Sequence, residues 1–367
     1  MKYKAPFVNY PLQYLSLKKE IDKAISHVLK AGGLILWEDV KIFEKAIAKF
    51  SGVKYAVGVN SGTDALIFSL MAAGIKEGDE VITVSHTFFA TIEAIHHCKA
   101  KPVLIDVKDD FLMDESKLEK AITKKTKAII IVHLNGFCCN MDEIMKIARK
   151  HKLLVIEDAA QALGAKYKGK KAGSFGIAGC FSFYPAKSLG CLGDGGAVVT
   201  NSFQMAEKIK LLRNHGQKTK KKIVCYGFTS RLDNIQAAVL NVKIKYLPRW
   251  IKRRREIAGI YSNGLSKIKE IKTPLARKEC FDTYQNYVIR AEKRDKLFDF
   301  LKKNGVETLI KDPVPNHLQK GLGLSNFSLP KTEELAKQVI SLPMYPELKN
   351  SQIYYVIEQL KEFYGKK

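Results

Sequence analysis

The sequence lacks the features that mark several specialised classes of protein. None of its seven cysteines forms a Cys-x-x-Cys pair, so neither a zinc ribbon nor a thioredoxin-like redox motif is indicated. Its longest apolar runs, such as 127–133, fall far short of the ~20 residues that cross a bilayer. The first residues also lack the apolar core of a signal peptide. We therefore expect a cytoplasmic protein with reduced thiols and no membrane contact.

Acidic residues are scarce, with 37 Asp and Glu against 62 Lys and Arg, which gives a net charge of +25. Such a charge attracts polyanions, including nucleic acids. The basic residues are nevertheless spread along the chain, and they cluster only at 218–222 and 252–255. No zinc-finger spacing, RNA-binding aromatic signature or basic zipper accompanies them. We expect solvated basic faces and attraction of an acidic small molecule, with no nucleic-acid partner.

The chain is long enough for two domains, with 367 residues of which 46% are hydrophobic. Short apolar runs rich in β-branched residues alternate with helical patterns. Continuous apolarity, in place of strict alternation, indicates burial on both faces, as in parallel sheets covered by helices. This predicts an α/β fold with a mostly parallel, seven-stranded sheet. The predicted strands are 55–59, 80–84, 102–106, 128–132, 153–157, 179–183 and 196–200.

Helices are predicted between these strands, at 64–73 and 141–150 for example. Beyond about residue 240 the pattern changes to one long helix over 234–261, followed by an isolated strand at 285–290 and further helices. We expect a large domain over residues 1–245 and a smaller C-terminal α+β domain over 246–367. No low-complexity linker or internal repeat marks the boundary.

The segment 180–196 carries the strongest chemical signal, because an apolar strand delivers Lys187 to a glycine-rich turn. A lysine that anchors a carbonyl cofactor needs a fixed stem, partial desolvation and room for a planar ring. Asp158 ends another buried strand, where a carboxylate needs a positive partner such as a protonated ring nitrogen. The pair predicts a pyridoxal 5′-phosphate (PLP) enzyme. A surface lysine and a helix-capping aspartate are the alternatives.

Other residues fit the remaining parts of such a cofactor. The turn 60–63 opens a helix whose first N–H groups and dipole suit a phosphate. Ser182 can add a hydroxyl to that phosphate. Phe88 is a candidate to stack on the ring, although an aromatic residue after a strand is more often part of the core.

These motifs, taken in order, resemble the DegT-type nucleotide-sugar aminotransferases, which are fold-type I PLP enzymes. The resemblance covers almost the whole chain. It is carried by the segments 60–66, 132–134, 157–161, 182–187, 193–196, 213–216, 230–238, 313–317 and 342–346.

The resemblance implies a role for each matching residue. Lys187 would hold PLP covalently, Asp158 would bind the ring nitrogen, and Gln161 would approach the ring's phenolic oxygen. Phe88 would stack on the ring. The phosphate would be bound by Gly62, Thr63 and Ser182. The reaction implied is transfer of an amino group from L-glutamate to a keto-sugar nucleotide, which makes amino sugars for surface polysaccharide or a glycosylated metabolite.

Some departures of the chain from the family pattern concern its partners and substrates, and two of them involve candidate site residues. Family members are homodimers whose sites are completed by the other subunit, usually through an asparagine that reaches the phosphate, and here that position is Thr229. Where relatives have His-Tyr, this chain has Lys311 and Asp312. Lys311 is therefore a candidate contact for an acidic sugar, with a solvated lysine as the alternative. His215 and His317 are further candidate substrate contacts.

Several alternatives remain open within this interpretation. A dTDP-linked 3-keto-6-deoxyhexose is the favoured acceptor, and a UDP- or GDP-linked 4-keto sugar is the second candidate. A PLP sugar dehydratase is disfavoured, because these relatives replace the anchoring lysine by histidine. A basic regulatory or nucleic-acid-binding protein that kept an enzyme fold is the third alternative, and it would be colourless.

Overall fold

The computed structural model describes residues 3–365, which form an α/β protein. Its helices are α1 (Tyr10–Ala31), α2 (Glu38–Ser51), α3 (Gly62–Ala72), α4 (Ala90–His97), α5 (Met141–Lys150), α6 (Phe203–Leu212), α7 (Asn234–Lys243), α8 (Leu247–Leu265), α9 (Arg294–Lys303), α10 (Pro330–Gln338) and α11 (Asn350–Gly365). Its strands are β1 (Tyr55–Val59), β2 (Glu80–Val84), β3 (Lys101–Ile105), β4 (Thr126–Val132), β5 (Leu154–Asp158), β6 (Lys166–Tyr167), β7 (Lys170–Lys171), β8 (Ala178–Ser182), β9 (Gly196–Thr200), β10 (Gln217–Thr219), β11 (Lys222–Ile223), β12 (Ile271–Lys272), β13 (Cys280–Phe281), β14 (Tyr287–Ala291) and β15 (Val339–Leu342).

The central sheet has seven strands in the order β1-β9-β8-β5-β4-β2-β3. All pairs from β8 to β3 are parallel, whereas β9 runs antiparallel to both of its neighbours. The prediction of a mostly parallel seven-stranded sheet is therefore confirmed. Because β1, β2, β4, β5 and β8 all run in one direction, their carboxyl ends meet at the same edge. Open α/β sheets bind ligands at that edge.

Apolar cores cover both faces of the sheet. Along β4, Ile129 and Ile131 join one core while Ala128 and Ile130 join the other. The alternation follows from side chains that point to opposite faces at successive residues. It explains why the strand appears in the sequence as a continuous apolar run and not as an alternating one.

A third core lies behind a small sheet of order β12-β14-β15. Side chains of α8, α9 and α11 form most of the rest of this core, as Ile257, Leu297 and Ile353 illustrate. Within α8, Trp250 and Ile251 belong to the core of the large sheet, and residues from Ile257 onward belong to the third core. The division into domains at residues 245 and 246 stays a prediction.

The long helix expected over 234–261 is wrong in one respect, because the structure divides it into α7 and α8. Pro248 lies in the first turn of α8. Proline has no N–H to donate and clashes with the preceding turn, so it suits the start of a helix and not its interior. The break lets α8 leave the large sheet and reach the third core.

The basic cluster 252–255 is largely used inside the fold. Arg254 donates to the carbonyl oxygens of Tyr284, Gln285 and Met344, and Arg255 donates to that of Asp282. Burial lowers the pKa of Arg254 to about 10.

Within residues 3–365, no helix is both long enough and apolar enough to span a membrane.

Candidate active site

Lys187 lies in the turn that follows β8, at the carboxyl edge of the sheet. Its backbone N–H donates to the carbonyl of Tyr184 at 2.8 Å, which closes the turn. Burial lowers the pKa of the Lys187 amine to about 8, the positive charge of Lys311 acts in the same direction, and Asp158 opposes both. The structure therefore brings Lys187, Lys311 and Asp158 close enough to influence one another. An amine with this pKa is partly neutral near physiological pH, as a nucleophile requires.

Gln285 fixes the peptide groups on both sides of Lys187. Its Oε1 accepts the backbone N–H of Ser188 at 2.6 Å and the Ser188 hydroxyl at 2.7 Å. Its Nε2 donates to the carbonyl of Ala186 at 2.7 Å. The backbone carbonyl of Gln285 is in turn bound by buried Arg254 at 3.1 Å. Gln285 was not predicted as a site residue, although it is a polar residue at the start of the predicted apolar strand 285–290.

We expect Gln285→Leu to lower the free energy of unfolding by about 3 kcal/mol, since it leaves the buried Ser188 N–H and Ala186 carbonyl without partners. Urea denaturation of the purified protein measures this change. Gln204→Leu is the matched control, because Gln204 is exposed on α6. Equal unfolding midpoints for the two variants would show that Gln285 does not hold the Lys187 turn.

Asp158 ends β5 and is only 7% exposed. Its Oδ2 accepts the hydroxyl of Thr91 at 2.7 Å, and its Oδ1 accepts the N–H of Ala160 at 3.2 Å. Because Thr91 gives its proton to Asp158, the hydroxyl of Thr87 must donate to Thr91, 2.8 Å away. No basic side chain in the described part of the chain pairs with Asp158. A buried carboxylate with neutral donors only fits a ligand that supplies a positive N–H.

The start of α3, next to the end of β8, is the candidate phosphate site. Ser61 caps the helix by accepting the N–H of Asp64 at 3.0 Å. The N–H groups of Gly62 and Thr63 have no acceptor inside the helix. A Cβ at Gly62 would lie 2.7 Å from the Cβ of Ser182, so only glycine allows this close approach. Ser182 Oγ accepts the N–H of Tyr184 at 3.3 Å, which leaves its proton free to donate.

Gln161 belongs to a chain of hydrogen-bonded amide side chains that ends at Lys311. Its Oε1 accepts the N–H of Asn135 at 2.9 Å and the Nδ2 of Asn286 at 3.1 Å. With both bonds to the oxygen, the amide nitrogen of Gln161 is the end left to donate to a ligand. Asn286 Oδ1 accepts from Lys311 Nζ at 3.3 Å. Asn286 and Thr91 were not predicted from the sequence.

Phe88 lies in the loop between β2 and α4 and is 63% exposed. Its carbonyl accepts the N–H of Thr91 at 3.2 Å, which ties this loop to the residue that holds Asp158. An exposed aromatic side chain in this loop is available to cover a planar ring. Stacking by Phe88 stays a prediction.

Thr229 and His215 lie together on an exposed surface, with Thr229 Oγ1 2.8 Å from His215 Nε2. Their backbones meet through an isolated bridge between Asn214 and Thr229. The following residue, Ser230, accepts the N–H of Asn60 at 3.2 Å. Across residues 3–365, neither Thr229 nor His215 hydrogen-bonds to Lys187, Asp158 or Gln161. The roles predicted for these two residues therefore need a second subunit or a bound substrate.

His317 is placed differently from the expectation for a substrate contact. Its ring is 0% exposed. Its Nδ1 lies 2.8 Å from the Ser85 hydroxyl, and its Nε2 lies 3.2 Å from Glu333 Oε1. Both ring nitrogens thus have partners from distant parts of the chain. This arrangement positions the 315–318 loop and leaves no free ring nitrogen for a substrate, so the geometry gives the predicted contact no support.

The residues at this edge fit PLP in three respects. The desolvated amine of Lys187 suits the aldehyde carbon, the unpaired carboxylate of Asp158 suits the ring nitrogen, and the open start of α3 suits the phosphate. These three parts come from separate segments of the chain, around residues 62, 158 and 187. The parallel strands bring the segments to one edge.

Comparison with known proteins gives matches over nearly the whole chain. Residues 15–361 match the DegT/DnrJ/EryC1/StrS aminotransferase family. The chain is 44% identical to the pleiotropic regulatory protein of Geobacillus stearothermophilus, over 98% of both chains. It is 40% identical to dTDP-3-amino-3,4,6-trideoxy-alpha-D-glucose transaminase of Streptomyces venezuelae, over 98% of this chain and 96% of that one.

Two further comparisons concern substrates and structure. The chain is 39% identical to UDP-2-acetamido-2-deoxy-3-oxo-D-glucuronate aminotransferase of Pseudomonas aeruginosa, over 96% of this chain and 99% of that one. The crystal structure of DesV from S. venezuelae, in complex with a ketimine intermediate, superposes with a TM-score of 0.97 at 39% identity, and the match covers 100% of both chains.

Proposed function

We propose that this chain, a PLP-dependent sugar aminotransferase that belongs to the DegT/DnrJ/EryC1/StrS aminotransferase family, transfers an amino group from L-glutamate to a keto-sugar nucleotide. The favoured acceptor is a dTDP-linked 3-keto-6-deoxyhexose. The observation that carries the proposal is that one site contains both a desolvated Lys187 and a buried Asp158 carboxylate that forms no ion pair among the described residues.

When bound, PLP supplies an aldehyde carbon that carries the amino group and a ring that accepts the electrons released at the substrate carbon. Lys187 would hold PLP, and its amine, once free, would move a proton between the substrate carbon and C4′. Asp158 keeps a proton on the ring nitrogen, so that the ring can accept electrons. Thr91 and the N–H of Ala160 hold the Asp158 carboxylate in position for this task.

The other candidate residues bind and orient. The N–H groups of Gly62 and Thr63 and the hydroxyl of Ser182 are the proposed phosphate donors. Gln161 would donate its amide N–H to the phenolic oxygen, because the N–H of Asn135 already binds its carbonyl oxygen. Phe88 would cover one face of the ring and exclude water from it.

The substrate is tested by incubating the PLP-loaded enzyme with L-glutamate and a panel of keto-sugar nucleotides. The panel contains dTDP-linked 3-keto-6-deoxy sugars, UDP- and GDP-linked 4-keto sugars, and UDP-linked 3-keto sugars with and without a carboxylate. Mass spectrometry detects the amino sugar. Amination of the dTDP-linked sugar with the highest kcat/KM supports the proposal, and preference for a UDP- or GDP-linked sugar overturns the substrate assignment. A cofactor band that does not respond to glutamate overturns the choice of donor.

We further propose a homodimer with shared active sites, which would bring Thr229 and His215 to the partner's substrate and phosphate. The hairpin β10–β11 and the segment that follows it carry exposed apolar side chains, and Tyr226 is 99% exposed. Large apolar side chains left fully exposed on a surface are typical of protein interfaces.

The net positive charge of the protein concerns its small-molecule partners. An L-glutamate carboxylate and a nucleotide diphosphate are the anions that the basic surface would attract.

We expect Tyr226→Asp to weaken the dimer at least ~10-fold, since a carboxylate would replace an aromatic anchor in an apolar contact. Sedimentation velocity over a dilution series measures the monomer–dimer equilibrium. Tyr354→Asp is the control, because Tyr354 is 55% exposed on α11. A wild-type protein that sediments as a monomer would contradict the proposed assembly.

A further inference from the structure

Lys311 is a charged side chain that the fold places in the active site without an ion-pair partner. Its Nζ donates to Asn286 Oδ1 at 3.3 Å, a long bond to a neutral acceptor. Burial lowers the pKa of Lys311, and the nearby carboxylate of Asp312 only partly opposes this effect. Over residues 3–365, no carboxylate oxygen lies within 4.0 Å of the Lys311 ammonium. The half-buried ammonium is therefore partly desolvated and forms no ion pair.

The positive charge of Lys311 also acts on Lys187, which places it in the active site. Lys187 and Lys311 are close enough for the charge of Lys311 to lower the pKa of Lys187. The carboxylate of Asp158 already accepts hydrogen bonds from Thr91 and Ala160 and, in the proposed function, from the ring nitrogen. Among the described residues it forms no ion pair with Lys311. The site is thus complementary to an additional anion near the carbon that reacts at Lys187.

The position relative to Lys187 indicates which anion this is. The phosphate of the cofactor has its own donors at the start of α3. The diphosphate of a sugar nucleotide is several bonds from the keto carbon of the sugar. The carboxylate of an amino acid, in contrast, is bonded directly to the carbon that loses the amino group, and the carboxylate of a uronic acid is only a few bonds from its keto carbon. Of these anions, a substrate carboxylate is separated from the reacting carbon by the fewest bonds.

We propose that Lys311 is the residue that binds a substrate carboxylate, either the α-carboxylate of the amino donor or the acid group of a uronic sugar. This inference rests on the proposed function and adds a specificity-determining residue to it. An ammonium–carboxylate pair at a desolvated site gives a charge-assisted hydrogen bond, which is stronger than a bond between neutral groups. Asn286 and the amides behind it, Gln161 and Asn135, hold the Lys311 ammonium from one side.

Lys311→Gln is the appropriate variant, because its amide N–H can still donate to Asn286 while the positive charge is lost. Lys311→Arg keeps the charge. Lys320→Gln is the matched control on an exposed lysine of the same loop region. Isothermal titration calorimetry measures binding of glutarate, a dicarboxylate without an amino group, to each PLP-loaded protein. We expect Lys311→Gln to bind glutarate about 10- to 100-fold more weakly than Lys320→Gln.

The two sources of the carboxylate are separated by the two half-reactions. If Lys311 binds the donor, Lys311→Gln raises the glutamate concentration needed for half-maximal conversion in single turnover, whereas the half-maximal concentration of a neutral keto sugar keeps its wild-type value. If Lys311 binds an acidic sugar, the loss occurs only with a 3-keto uronic acid nucleotide, compared with its neutral counterpart. In both cases the pH midpoint of the visible cofactor band moves upward, because a neighbouring positive charge is removed.

The inference is overturned if Lys311→Gln binds glutarate as tightly as Lys320→Gln and both half-reactions keep their substrate dependence. This result is distinct from failure of the proposed function. A wild-type enzyme that aminates no keto sugar, but whose affinity for glutarate depends on Lys311, would refute the proposed acceptor and keep the carboxylate site.

Discussion

Replacement of Lys187 by alanine is expected to lower kcat for transamination by at least ~10³-fold, which is the largest effect of any single change in this protein. Proton transfer by a positioned side chain contributes ~10²–10⁴-fold on its own, and loss of the covalent anchor adds to this. Steady-state assays with L-glutamate and an accepted keto-sugar nucleotide measure the change. Lys320→Ala, at an exposed lysine, is the control. If Lys187→Ala retained more than a tenth of wild-type kcat, another residue would have to carry the chemistry.

The pH dependence of Lys187 gives an independent check. Burial and Lys311 lower its pKa to about 8, whereas an ordinary lysine titrates near ~10.4. Only the neutral amine reacts with an aldehyde, so the initial rate of PLP attachment to the cofactor-free enzyme should rise with pH and reach half its maximum near pH 8. Stopped-flow absorbance measures this rate. A midpoint above pH 10 would mean that Lys187 is solvated in the cofactor-free protein.

Asp158→Asn is expected to slow transamination by about 10²–10³-fold, with little loss of stability. The amide cannot keep a proton on the ring nitrogen, so the ring loses most of its capacity to accept electrons. The fold should tolerate the change, because the Thr91 hydroxyl can reverse its hydrogen bond towards the new amide. Single-turnover conversion with glutamate measures the chemical step, and urea denaturation measures stability.

The control for Asp158→Asn is Thr91→Val. This variant removes the hydroxyl that positions the Asp158 carboxylate, but the carboxylate keeps its negative charge. We expect a smaller loss, about tenfold. If Asp158→Asn turned over at a near-normal rate, the assignment of Asp158 to the ring nitrogen would be refuted. Equal losses in the two variants would indicate that the position of the carboxylate matters more than its charge.

Local sequence patterns predicted the elements that carry the site. Buried strands have continuous apolar sequences, and the ends of each of the seven predicted strands lie within two residues of those of an observed one. The capping serine and Gly62 identified the start of α3 because caps and close approaches demand particular residue types. Lys187 and Asp158 were recognisable because each lies at the end of a buried strand, where a charged side chain is costly unless it has a partner.

Contacts between distant segments could not be predicted in this way. Gln285 binds residues almost 100 positions earlier in the chain, and no local pattern encodes that pairing. Lys311 could equally have been solvated, because the burial of a loop depends on what packs over it. His317 was predicted as a candidate substrate contact, and no local pattern indicated that its ring nitrogens lie within hydrogen-bonding distance of Ser85 and Glu333. The helix break before α8 depended on Pro248, a local signal that the helical pattern around it concealed.

The most direct test of the account is the identity of the lysine that holds the cofactor. The PLP-loaded enzyme is reduced with borohydride, digested with a protease and mapped by mass spectrometry. The account predicts that the visible colour disappears on reduction and that the cofactor mass is found on the peptide that contains Lys187. Cofactor on a different lysine, or a protein that binds no PLP, would contradict it.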